Sequence, residues 1–179
     1  MSGLGSLLLA KKEKAAASRY FVQALALAPE DAYTWWDYAK SLESGRTGMS
    51  ETPEVARKLI KVYERILKLN PPDDSFRLVW IAWQNIAELT AGLGDFDTAI
   101  AAEKHAIEHV SEGSAWNRLL VFYRKKLNSL AWGGEDVVKD ATETISKLSK
   151  TKPALAKELT DDILSHWKYI SEERAKKKQ

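Results

Sequence analysis

Apolar and polar positions along this chain recur with the period of a helix rather than of a strand. The clearest case is the stretch 83–110, WQNIAELTAGLGDFDTAIAAEKHAIEHV, in which Trp83, Ile86, Ala87 and Thr90 share one helical face. Ala99 and Ala106 share a second face, and Gly94-Asp95-Phe96 interrupts the pattern between them. A glycine at such a break supplies the left-handed residue that ends a helix. The stretch therefore predicts two amphipathic helices folded back on each other. Its small residues let the pair approach closely while Trp83 and Phe96 fill the space beside them.

The same spacing returns upstream and downstream. Pro29-Glu30-Asp31 opens a helix on which Trp35, Tyr38, Ala39 and Leu42 stand at the offsets of Trp83, Ile86, Ala87 and Thr90. Its partner is predicted over 52–69, capped by Ser50 or Thr52, with Pro53 in the first turn and Asn70-Pro71-Pro72 beyond the end. The joining segment 44–51 is longer than its counterpart at Gly94 and is a candidate for mobility or contact. Trp116, Leu119, Leu120 and Tyr123 give the spacing again, followed by a turn at Gly133-Gly134 and a partner helix over 135–149.

Ala141, Ile145 and Leu148 precede Pro153 at the offsets at which Ala17, Phe21 and Ala24 precede Pro29, so the first segment reads as the second half of such a pair. Residues 3–10 are too few for a normal partner helix, so this Leu-rich piece of the N-terminal segment 1–11 is expected to fuse to the next helix, or the chain to be a fragment of a longer array. From Pro153 the apolar stripe Leu155, Leu159, Ile163, Trp167 and Ile170, with Lys157, Glu158, Asp161 and Lys168 facing away, predicts a capping helix over 154–173. A solvated basic tail over 174–179 is expected after it. No alternating strand pattern of useful length is present.

The order of Trp83, Ala87, Gly94, Phe96, Ala99 and Ala106 resembles the tetratricopeptide repeat. The resemblance implies an all-α fold: a right-handed helical-hairpin superhelix in one domain over 1–179, with about three full repeats, a leading half-repeat and a C-terminal capping helix, the repeats covering 12–153. It also implies a protein-protein interaction scaffold that holds a protein or peptide partner in a concave groove. In that family the groove is lined by the first helix of each repeat, at the residues next to and five beyond the leading tryptophan. Carried onto this chain, this selects Trp36 and Lys40, Gln84 and Glu88, and Asn117 and Val121, with Asn85, Arg118 and Arg124 nearby. Trp36 is the preferred anchor, because a large aromatic in a groove is a common hot-spot residue.

Some members of the family grip a chaperone's terminal carboxylate with lysines, asparagines and an arginine. Asn85 and Arg118 fall at such places, but Trp36 and Lys40 stand where the first lysine and first asparagine belong, so the clamp is incomplete. Trp35-Trp36-Asp37-Tyr38-Ala39, Tyr63-Glu64-Arg65 and Val79-Trp80-Ile81-Ala82-Trp83 also resemble half-a-tetratricopeptide repeats of RNA-processing assemblies. An RNA-related scaffold and a structural subunit of a larger complex therefore stand as alternatives.

Composition narrows this further. With 179 residues, 45% hydrophobic and 29% charged, the chain can build a core. The 27 basic against 25 acidic residues leave a net charge of +2, too small to draw nucleic acid or anionic membrane by bulk electrostatics. Arg124-Lys125-Lys126 and the C-terminal tail are the concentrated positive runs. Without cysteine there is no disulfide, thiol nucleophile or cysteine zinc site. The start lacks the basic and small-residue signals of a leader peptide, and no apolar run is long enough to span a bilayer, so a cytoplasmic location is the default expectation.

Two patterns spell chemistry. His105-Ala-Ile-Glu108-His109 has the order of an inverted zinc-peptidase motif. It lies on the helix whose Ala99 and Ala106 face the partner, so an ordinary solvated face is expected. Asp73-Asp74 precedes a helix and suits capping, and Asp161-Asp162 lies within the terminal helix. No phosphate-cradling glycine loop, nucleophile elbow or Ser-His-Asp set is found. The expectation is a binding protein with no enzyme activity, no cofactor and no metal.

Overall fold

The computed structural model describes residues 2–43, 52–69, 76–109 and 113–177, and no strand is found among them. The helices are α1 (Ser2–Ala10), α2 (Lys14–Leu27), α3 (Ala32–Leu42), α4 (Pro53–Lys68), α5 (Phe76–Gly92), α6 (Phe96–His109), α7 (Gly113–Ser129), α8 (Glu135–Ser146) and α9 (Pro153–Lys176), with a short 3-10 segment at Lys147–Lys150. The protein is all-α, and its helices pack as neighbouring pairs. The contacts group the chain into two compact units, 1–110 and 111–179. The expected assignments at the joining segment 44–51, at Asn70-Pro71-Pro72 and at Asp73-Asp74 lie outside the described residues.

In the first unit the α5–α6 turn is built locally. Gly94 has φ +84°. Its N–H donates to the Ala91 carbonyl at 3.1 Å and the Asp95 N–H to the Thr90 carbonyl at 2.9 Å, the paired bonds of a Schellman motif. Asp95 then caps α6, accepting from the Thr98 N–H at 3.1 Å. Ala82, Ala87, Ala99 and Ala106 are all fully buried, as close approach of α5 and α6 requires. Thr90 sits in the same interface, its hydroxyl donating to the Ile86 carbonyl at 2.8 Å.

The same turn joins α1 to α2, and this corrects the expectation of an unpaired leading half. Lys12 takes the left-handed conformation, φ 63°. Its N–H donates to the Leu9 carbonyl and the Glu13 N–H to the Leu8 carbonyl, each at 2.9 Å. The Leu-rich start therefore neither fuses to α2 nor stands alone: it is a separate helix that packs on α2 and also touches α3. Gly5 makes this possible, because a methyl group there would lie 2.7 Å from the Phe21 ring. Measured from the turn, Gly5, Ala17 and Ala24 occupy the places of Ala87, Ala99 and Ala106. Sequence reading missed α1 because lysine replaces the turn glycine and no tryptophan marks the start.

Helix α3 starts at the predicted Pro29-Glu30-Asp31 opening, and α4 at one of its two predicted caps. Asp31 accepts from the Tyr33 N–H at 3.1 Å, and Thr52 accepts from the Val55 N–H with Pro53 at the first helical position. Leu59, Tyr63 and Ile66 of α4 are buried.

In the second unit Trp116, Leu119, Leu120 and Tyr123 of α7 are buried, as are Ala141, Ile145 and Leu148. The Tyr123 hydroxyl donates to Asp140 at 2.7 Å across the α7–α8 pair, and burial pushes its phenol well above the usual range. Ala156, Leu159, Ile163 and Ile170 of α9 complete this core. The terminal helix also runs further than the pattern implied. It continues through Lys176, and Arg174, expected in a solvated tail, donates to the carbonyls of Leu127, Leu130 and Gly133 at 2.6–2.7 Å. Carbonyls at the end of α7 and in the turn after it thereby hold that last turn in place.

Candidate partner-binding surface

The residues selected for recognition lie on α3 and α5 in the first unit and on α7 in the second. On α3, Trp36 is half-buried, its ring meeting Tyr63 of α4 edge-on with centroids 5.9 Å apart. Lys40 lies one turn on, its Nζ 5.2 Å from the centre of the Trp36 ring and 4.0 Å from Asp37. Asp37 in turn accepts from the Ser6 hydroxyl of α1 at 3.3 Å. Beneath them the Tyr63 hydroxyl donates to Glu43 at 2.6 Å, and the Lys14 ammonium donates to the Glu43 carbonyl. The expected anchor is thus a tryptophan whose edge is fixed by a buried tyrosine and whose remaining face carries a cation. Tyr63 and Glu43 belong to this site and were not foreseen, because their role depends on α4 lying against α3.

On α5, Gln84, Asn85 and Glu88 are half-buried and share a helical face. The neighbouring Trp83, expected in the core, is only half-buried, and His105 of α6 stacks on it with ring centroids 4.6 Å apart. His105 Nδ1 also lies 3.3 Å from Glu108. The H-x-x-E-H spacing therefore resolves into a ring stack and an exposed side-chain contact, while His109 is exposed. Among the described residues no group of three or more His, Cys, Asp or Glu side chains is placed to hold a metal ion.

On α7, Asn117 and Val121 are exposed and Arg118 and Arg124 half-buried, spaced so as to form one stripe. Arg124 lies 3.4 Å from Asp162 of α9. His166, one turn beyond Asp162, places Nε2 3.2 Å from the Asn128 side-chain oxygen. Burial, helped by the Arg124 charge, holds its imidazole below the usual histidine range. Asp162 and His166 acquire these partners through the return of α9, a contact that spacing along the chain does not reveal.

Apart from the exposed Val121, the selected residues are polar, charged or aromatic, and all are partly open to water, while small residues of the same helices such as Ala39, Ala82, Ala87 and Ala115 are buried. Taken helix by helix, side chains of these kinds can hold a partner by hydrogen bonds, cation–carboxylate pairs and, on α3, an aromatic contact. Among the described residues no helix is long and apolar enough to cross a membrane. No known family model matches the chain, and no curated protein matches it either.

Proposed function

We propose that this chain is a tetratricopeptide-like interaction scaffold: its helical hairpins stack as a right-handed superhelix, and the first helix of each hairpin faces a groove that holds a partner protein or peptide. The observation that carries this reading is a repeated division of labour. Gly5, Ala17 and Ala24, and again Ala87, Ala99 and Ala106, occupy equivalent close-packing places around equivalent turns. The residues one step away on α3, α5 and α7 are a half-buried tryptophan, amides and cations. A face that merely needed solvation would not require a tryptophan braced by a buried tyrosine.

The test is the double substitution Trp36→Ala and Arg118→Ala, with circular dichroism to establish that the helices persist. Quantitative recovery of co-purifying proteins should fall at least tenfold against the unaltered chain, the effect expected when two central contacts are truncated. Undiminished recovery by the folded double variant removes these residues from recognition and with them this reading.

A further inference from the structure

The first unit carries a second feature whose lining residues are distinct from the Trp36 site. Helices α2 and α4 flank a trough of about 510 Å³ whose floor is supplied by α3. The floor and walls are apolar: Val22 from α2, Trp35 and Tyr38 from α3, and Val62 from α4. Val22 is 50% exposed, leaving apolar surface on this wall of the trough open to water.

One rim is cationic throughout. Lys58, Lys61 and Arg65 recur along a single stripe of α4, spanning about 10 Å at the helical rise. Their charges are not equally engaged. Arg65 pairs with Glu30 at 2.8 Å and closes one end of the trough. Lys58 lies 5.5 Å over the Tyr38 ring, and neither Lys58 nor Lys61 has a carboxylate within ion-pair distance among the described residues.

We propose that this trough docks an acidic amphipathic helix of a partner protein. The partner lays an apolar stripe on Val22, Trp35, Tyr38 and Val62 and sets carboxylates against Lys58 and Lys61. The dimensions and charges agree with each other. A stripe of about 10 Å matches two turns of a helix, whose i, i+3 and i+4 residues supply apolar contacts with a flanking carboxylate one turn apart. Two uncompensated ammonium groups beside an apolar floor select against basic or neutral amphipathic helices by like-charge repulsion or unpaired desolvation. Lys40 and Trp36 take no part, so this docking is independent of the proposed groove.

The experiment is a display selection on the full-length chain using 14-residue amphipathic helices randomised at their apolar and flanking positions, with winners measured as fluorescein-labelled peptides by anisotropy. Expected winners carry glutamate or aspartate flanking an apolar stripe. They should bind at least tenfold more weakly to Lys58→Glu/Lys61→Glu and to Val22→Asp, and several-fold more weakly at 0.5 M than at 0.05 M salt. All three substituted side chains are exposed, and circular dichroism verifies the fold of each variant. Lysine-flanked versions of the winning peptides should bind the Lys58→Glu/Lys61→Glu chain in preference to the unaltered one.

Winners without acidic enrichment, or acidic winners that bind the reversed-charge variant equally well, overturn the proposal. So does sedimentation of the chain with phosphatidylserine vesicles through the same lysines in the absence of peptide binding, which makes the trough a membrane contact. Trp36→Ala/Arg118→Ala should leave these peptide affinities within twofold, which separates failure here from failure of the proposed groove.

Discussion

The turns at Gly94 and at Gly133-Gly134 do the same job in different ways. The first is self-sufficient: a Schellman motif ends α5 and Asp95 caps α6, all within nine residues of chain, 90–98. A side chain added at Gly94 would meet open space, so its glycine answers only to backbone conformation. The second turn is imposed from outside. Gly134 has φ +126°, and a methyl group on it would lie 2.8 Å from Leu127 and 2.9 Å from Trp167. Arg174 of α9 then grips the carbonyls of Leu127, Leu130 and Gly133. A helical hairpin can therefore be written into its own turn or delegated to the helix that covers it.

The sharpest way to break this contrast is Gly134→Ala. Left-handed strain adds to a clash with two core side chains, so a loss of about 3–5 kcal/mol is expected in urea denaturation. A loss below about 1 kcal/mol shows that Trp167 yields and that α9 is not tightly seated.

Next comes Arg174→Ala, which removes three charge-assisted hydrogen bonds at a partly buried position and should cost about 2–3 kcal/mol. Arg174→Lys should recover less than half of that, because an ammonium cannot span three carbonyls as the guanidinium fork does. Hydrogen exchange should show the loss concentrated in the last turns of α7 and α9. Uniform exposure across the chain would contradict the stapling role.

Gly94→Ala should be the mildest of the three, about 1–2 kcal/mol from the left-handed penalty alone. Gly94→Asn should cost distinctly less than Gly94→Ala, since asparagine tolerates that conformation. Equal losses for Gly94→Ala and Gly134→Ala would erase the difference between the two turns.

The residues where reading along the chain succeeded share a physical property: their partners are close in sequence or periodic. Asp31 and Thr52 cap helices because their side chains reach an N–H two or three residues on. Ala87 and Ala99 are buried because a helical period marks the packed face. Reading failed where periodicity was intact but the marker residue differed, as at Lys12, and where a residue's role depends on a distant helix, as for Arg174.

The proposed recognition surface divides in the same way. The positions of Trp36, Lys40, Gln84, Asn85, Glu88, Asn117, Arg118, Val121 and Arg124 on first helices follow from spacing. What they touch does not: Tyr63 under Trp36, and Asp162 against Arg124, arrive from elsewhere in the chain. The trough between α2 and α4 is not legible at all in one dimension, since Val22 and Lys61 stand far apart in sequence and neither breaks its own helical pattern.

By itself the sequence determined that this protein is helical, where most helices start and stop, and which small residues lie between them, because propensity, capping and the 3.6-residue period act over a turn or two of chain. Only the tertiary structure decided that residues 2–10 form a packed helix, that Arg174 is a staple and not a tail, and that cations from α4 border an apolar floor made by other helices. Those outcomes depend on which faces meet, and packing brings together residues that no local period connects.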